Sequence, residues 1–160
     1  MPTESPASTS PTAATSPLVH IGDCVAEKCQ AANVRNVALL GTKFTMTEPF
    51  MKQRLEQNGL TVINDLPAEA VNEINRIIFG ELCHDKLTQE SQNYLHSLCT
   101  HLAAHKLKDN IDGIILGCTE LQMALDNTFE IYLYSNYGVK LFDTTQAHID
   151  KLVDLCLLSD

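Results

Sequence analysis

Three short polar turns carry the side chains best suited to chemistry: Gly41-Thr42-Lys43-Phe44-Thr45, Gly117-Cys118-Thr119-Glu120 and Asp143-Thr144-Thr145. Backbone N–H groups and threonine hydroxyls are donors, so turns built from them suit the oxygens of a carboxylate. Cys118 adds a thiol capable of acid–base work. It lies just after an apolar run and just before Leu121 to Leu125, where a helix is expected. A thiol at a helix N-terminus has its thiolate favoured by the dipole. The competing reading of the same residue is a small buried hydrophobe. Glu120 is either an acid that supports the site or a charge that complements the same dipole. His96, Cys99, His101 and His105 could suggest a metal site. At about 100° per residue, however, His101 and His105 share one face while His96 and Cys99 point the other way. Only two ligands converge, no HExxH is present, and no metal is expected.

The elements that must position these turns follow from hydrophobic pattern. Val37 to Leu40 ends at Gly41, Leu60 to Ile63 forms a second apolar run, Ile111 to Leu116 ends at Gly117, and Val139 to Phe142 ends at Asp143. Continuous rather than alternating apolar runs suit strands covered on both faces, as in a parallel sheet. Helices are expected between them. One lies near His20 to Ala32. A second starts near Thr47 to Pro49 and stops at Asn58-Gly59. A third opens at Pro67 with the stripe Val71, Ile74, Ile78 and Leu82. A fourth runs from about Thr88 to Lys106, and the last from Thr145 to Leu158. Strands alternating with helices predict right-handed crossovers and an open, doubly wound, mainly parallel α/β sheet of about four strands flanked by helices. In such a sheet ligands bind beyond the carboxyl ends of the strands, near a topological switch point, and all three polar turns fall there.

Composition narrows the classes. The length of 160 residues fits one domain, and 44% apolar with 19% charged residues supports a core. No apolar stretch is long enough to span a membrane. The formal charge of −9 argues against a nucleic-acid groove, though a local site can still oppose the net charge to hold an anion. The six cysteines show no CxxC pair, which suits reduced thiols and a cytoplasmic setting. Residues 1–16 are rich in Ser, Thr, Pro and Ala and are expected to be a disordered tail. The α/β domain is expected over residues 17–160.

Two of these strings, Val37-Ala38-Leu39-Leu40-Gly41-Thr42-Lys43-Phe44-Thr45-Met46 and Ile114-Ile115-Leu116-Gly117-Cys118-Thr119-Glu120, resemble the aspartate/glutamate racemase family. So do Pro17-Leu18-Val19-His20-Ile21 and Leu141-Phe142-Asp143-Thr144-Thr145-Gln146-Ala147-His148, in the family's order and at about its spacing. The run Ile77 to Leu82 also fits, so the resemblance covers about Pro17 to Leu157. It implies one lobe of a two-lobed fold and a racemase of small acidic amino acids that uses no pyridoxal or other cofactor. Inverting an α-carbon in that way needs a base on one face and an acid on the other, which two thiols can supply. Cys118 matches the second of the family's catalytic cysteines. Thr42, Thr45, Thr119 and Thr144 match positions around the substrate carboxylates. Lys86 falls where the family often carries a Lys, although an exposed Lys after a helix is the plainer reading. His148 matches the closing motif, where it would orient a site group or cap its helix.

The family's first catalytic cysteine precedes the Pro17 to Ile21 segment, and residues 1–16 contain no Cys. The N-terminal lobe is therefore expected to be missing, and a monomer is not expected to perform two-base racemisation. Cys24, Cys29, Cys83, Cys99 and Cys156 all fall in expected helices and read as filler. Three alternatives stay open: a racemase acting as an oligomer or within a longer chain, a non-catalytic carboxylate-binding module, and a truncated product that mainly associates. An uncovered apolar patch of Val25, Leu152, Val153, Cys156 and Leu157 predicts a two-fold homodimer that could bring two copies of Cys118 together.

Overall fold

A computed structural model describes residues 18–105 and 110–158. The expected tail and the end of the helix expected through Lys106 lie outside these residues. The described chain runs α1 (Ile21–Ala31), β1 (Asn36–Leu40), α2 (Lys43–Thr47), α3 (Pro49–Gln57), β2 (Thr61–Val62), α4 (Ala68–Gly80), a 3-10 turn (Leu82–His84), α5 (Gln89–Ala104), β3 (Gly113–Leu116), a second 3-10 turn (Thr119–Met123), α6 (Asn127–Tyr137), β4 (Lys140–Asp143) and α7 (Thr144–Leu157). The four strands form one sheet in the order β2-β1-β3-β4, and every pairing is parallel. The expected α/β class and strand count therefore hold.

The two central strands, β1 and β3, are apolar on both sides because each side faces helices. Ala38, Leu40, Ile114 and Leu116 pack with α4, α5 and α6. Val37, Leu39 and Ile115 pack on the opposite face with α1, α3 and Ala147 of α7. Full burial of a Leu or Ile contributes about 1.5–3 kcal/mol before entropy is counted, so these strands are the main anchor of the fold. Val25 is 0% exposed within the second of these clusters, which removes it from the expected surface patch. The remaining members stay outside: Leu152 is 42%, Val153 50% and Leu157 72% exposed, and Cys156 is exposed as well.

Two elements lie outside the sequence expectations. α2 begins inside the Gly41–Thr45 turn, capped by Thr42, whose Oγ1 accepts from the Thr45 N–H at 3.3 Å. α6 fills the segment between the Cys118 turn and β4, capped by Asp126, whose Oδ1 accepts from the Phe129 N–H at 3.0 Å. Conversely, the helix expected at Leu121 to Leu125 is a single 3-10 turn that starts two residues earlier, at Thr119.

Candidate active site

The strand order reverses between β1 and β3, because the chain leaves β1 toward β2 on one side and returns to β3 on the other. In an open α/β sheet such a switch point, at the carboxyl ends of the strands, is where ligands bind. Gly41 and Gly117 stand there in contact. The Gly117 N–H donates to the Leu40 carbonyl at 2.7 Å. A Cβ on Gly117 would stand 3.0 Å from Thr45 Cγ2 and 3.1 Å from the Leu40 oxygen, so only glycine lets the two turns close up. The close approach sets Thr45, and with it its partner Thr42, against Gly117, the residue before Cys118. The two threonine hydroxyls are 3.2 Å apart, and both residues are half-buried.

Cys118 Sγ donates to Glu120 Oε2 at 2.8 Å, and Thr119 Oγ1 donates to the same oxygen at 3.1 Å. Burial, and then the Glu120 carboxylate, push the Cys118 thiol up to about 12; the Cys83 thiol nearby adds to the same direction. The bond from Cys118 in turn holds the Glu120 carboxyl below its usual range. The resting pair is thus a protonated thiol and an ionised carboxylate. This corrects the expectation of a favoured thiolate. A 3-10 turn of five residues, Thr119–Met123, offers little aligned dipole, while a carboxylate in direct contact disfavours a second negative charge.

The remaining expected residues divide. Thr144 is 2% exposed and its hydroxyl donates to the Leu116 carbonyl at 3.0 Å, so it ties β4 to β3 instead of offering a free donor. His148 Nε2 lies 3.1 Å from the Val19 carbonyl and fastens the segment before α1 to α7, neither orienting the Cys118 turn nor capping its helix. Lys86 is exposed and follows the Leu82–His84 turn. Cys83 lies beyond the end of α4, exposed on that turn, which packs against the Thr119–Met123 turn. Gln122 was not expected. Its Nε2 donates to Asp143 Oδ2 at 2.7 Å and links the ends of β3 and β4, but no sequence pattern marks it. Asp143 also caps α7, with Oδ1 accepting from the Thr145 N–H at 2.9 Å. A cavity of about 510 Å³ opens beside this link, lined by Leu116, Gln122, Asp126, Glu130 and Asp143 among others; Cys118 stands outside it. His96 stacks on Phe129 at 3.9 Å between centroids and its Nε2 lies 2.7 Å from the Ala124 carbonyl, a packed role far from a ligand's geometry.

The fold has counterparts in known proteins. The chain belongs to the Asp/Glu/Hydantoin racemase family, whose model matches residues 12–152. A candidate Asp/Glu racemase from Yersinia pestis is 31% identical and superposes with a TM-score of 0.76, over 88% of this chain and 56% of that one. An aspartate racemase homologue from Pyrococcus horikoshii is 37% identical with a TM-score of 0.76, over 88% of this chain and 57% of that one. The chain spans a little over half the length of these two structures. Among the described residues no helix is long and apolar enough to cross a membrane.

Proposed function

We propose that this chain takes part in pyridoxal-independent racemisation of a small acidic amino acid, with Cys118 as one of the acid–base thiols. The observation that carries the reading is the Cys118–Glu120 contact directly after Gly117, the glycine that meets Thr45 at the switch point. A thiol held protonated returns a proton to the α-carbon on its own face. Its conjugate thiolate, with a pKa of about 12, is correspondingly a strong base for the reverse direction. In this reading Thr42 and Thr45 hydroxyls donate to substrate carboxylate oxygens and to the charge that develops next to them, and Thr119 does so once it turns away from Glu120. The second acid–base group must reach the opposite face. A homodimer in which a second copy supplies its own Cys118 meets that need, and the exposed apolar side chains Ile149, Leu152 and Val153 of α7 support association. Free thiols throughout the described residues suit a cytoplasmic setting.

Chiral chromatography of L-aspartate and L-glutamate incubated with the purified chain tests the reading. The expected result is formation of the D-enantiomer, abolished by Cys118→Ala. A second reading, a carboxylate-binding module without turnover, draws on the resting protonation of Cys118. Saturable aspartate binding without either racemisation or α-proton exchange in D2O would replace the first reading with the second.

A further inference from the structure

Glu81 is a buried carboxylate at the end of α4, 9% exposed, and its donors come from several directions. Oε1 accepts from Ser91 Oγ at 2.6 Å and from Arg76 Nη1 at 3.1 Å, while Oε2 accepts from the Thr88 N–H at 2.8 Å. Its backbone carbonyl accepts from the His84 N–H at 2.9 Å and the Lys86 N–H at 3.1 Å. Arg76 is itself forked onto Glu73, at 2.7 and 2.9 Å, so the guanidinium is fixed from both sides. The Ser91 hydroxyl first, and then the Thr88 amide, pull the Glu81 carboxyl down to about 2. A carboxylate withdrawn from water is costly unless its donors are complete, and here they are supplied by α4, by α5 and by the segment between them.

One residue thus closes both ends of the segment from Leu82 to Leu87. Its backbone begins the segment, and its side chain grips Thr88, the cap of α5. The segment between is not self-supporting. It has one 3-10 turn, and Asp85 sits in the left-handed region at φ 53°. Leu82, 1% exposed, anchors it to the core, but Cys83 and Lys86 project to solvent. Among the described residues Lys86 makes no ion pair, so the segment presents an uncommitted cation. Its Leu82–His84 turn packs against Thr119–Met123, the turn that follows Cys118. The segment therefore walls one side of the Cys118 turn, held there by the Glu81 network together with Leu82 and Leu87 against the core.

We infer that Glu81 is a positioning residue for the Cys118 site: it holds the Leu82–Leu87 wall, with Cys83 and Lys86, against the Cys118 turn and so keeps that thiol out of water and a cation at the rim. The inference rests on the proposed acid–base role of Cys118 for its consequence in turnover. Its structural part can be read without substrate. Glu81→Gln keeps the shape but cannot accept from Ser91, Thr88 and Arg76 together, because half of its head group is a donor.

Two measurements on the full chain test it. Amide hydrogen exchange of residues 82–88 should accelerate about tenfold in Glu81→Gln, while β1 and β3 keep their protection. The pH profile of iodoacetamide alkylation at Cys118 should move to lower pH, since a loosened wall lets water reach the sulfur. A residue that merely stabilises the fold would not move that profile. Where the wild type turns over aspartate, kcat should fall together with any rise in KM, since a hydrated Cys118 thiolate is a weaker base. An unchanged alkylation profile overturns the inference, whatever the substrate result. So does faster exchange spread evenly over the whole chain. If Glu81→Gln does not fold, Ser91→Ala removes one donor alone and should give the same two changes at smaller amplitude. A wild type that neither racemises nor binds aspartate defeats the proposed function, while exchange and alkylation still decide the role of Glu81.

Discussion

Replacing Glu120 by Gln should make Cys118 more reactive toward an alkylating agent, because it removes the carboxylate that holds the proton on sulfur. The thiol is pushed up to about 12 from an ordinary value of 9.0. At pH 8 the thiolate fraction is then about one in ten thousand, where an ordinary thiol would show about one in ten. Burial is the first cause and survives the substitution; the Glu120 contact at 2.8 Å is the second and does not. Gln presents no charge, and its NH2 can turn to donate to a thiolate. A fall of about one pKa unit is the expected size. That raises the thiolate fraction about tenfold, while intrinsic nucleophilicity drops with a Brønsted slope of about 0.4–0.5, leaving a net gain of about three- to fourfold in rate. The assay is iodoacetamide labelling followed by peptide mass spectrometry, with exposed Cys83 and Cys156 as internal references that should label ahead of Cys118 in the wild type. A Cys118 rate that is unchanged or lower in Glu120→Gln would refute the view that Glu120 holds the proton on sulfur.

Gly117→Ala should destabilise by about 1–3 kcal/mol in urea unfolding, because its Cβ would meet Thr45 Cγ2 at 3.0 Å and the Leu40 carbonyl at 3.1 Å, the second being backbone that cannot swing away. Acid titration should reveal Glu81: with its carboxyl lowered to about 2 from 4.5, the stability it contributes is complete above about pH 4.5 and fades as pH falls toward 2, so the melting temperature of Glu81→Gln should vary less over that window than that of the wild type. Sedimentation across a dilution series should show a discrete dimer that Leu152→Glu or Val153→Glu converts to monomer; since these side chains are 42% and 50% exposed, monomer stability should change by less than about 0.5 kcal/mol. A wild type that sediments as a monomer at every concentration removes the dimer from the proposed mechanism.

The strands were legible because a buried parallel strand leaves a continuous apolar run, and Val37 to Leu40 and Ile114 to Leu116 are such runs. α4 was legible through its stripe, of which Val71, Ile74 and Ile78 are buried. α6 was not. Only Phe129 and Leu133 turn inward, while Ile131, Tyr132 and Tyr134 stay exposed, so its apolar residues trace no single face. α2, confined to Lys43–Thr47, is too short for periodicity to register. Val25 looked like patch material because a helix residue's direction relative to α3 and α7 is unknown until those helices are placed.

The site divides in the same way. Residue types and order alone were enough to mark Gly41-Thr42, Gly117-Cys118 and Asp143-Thr144 as the turns that end apolar strands, since strand ends and turn formers are local properties. Which of these turns meet was decided by the strand order β2-β1-β3-β4, a choice among long-range pairings that local pattern does not encode. The ionisation of Cys118 was decided there as well. It depends first on how much water the packed turns exclude, which contacts between segments distant in sequence set, and then on the bond that Glu120 makes to a sulfur two residues away. Thr144 shows the same limit from the other side: its hydroxyl reads as a free donor along the chain, yet folding spends it on the carbonyl of Leu116, twenty-eight residues away.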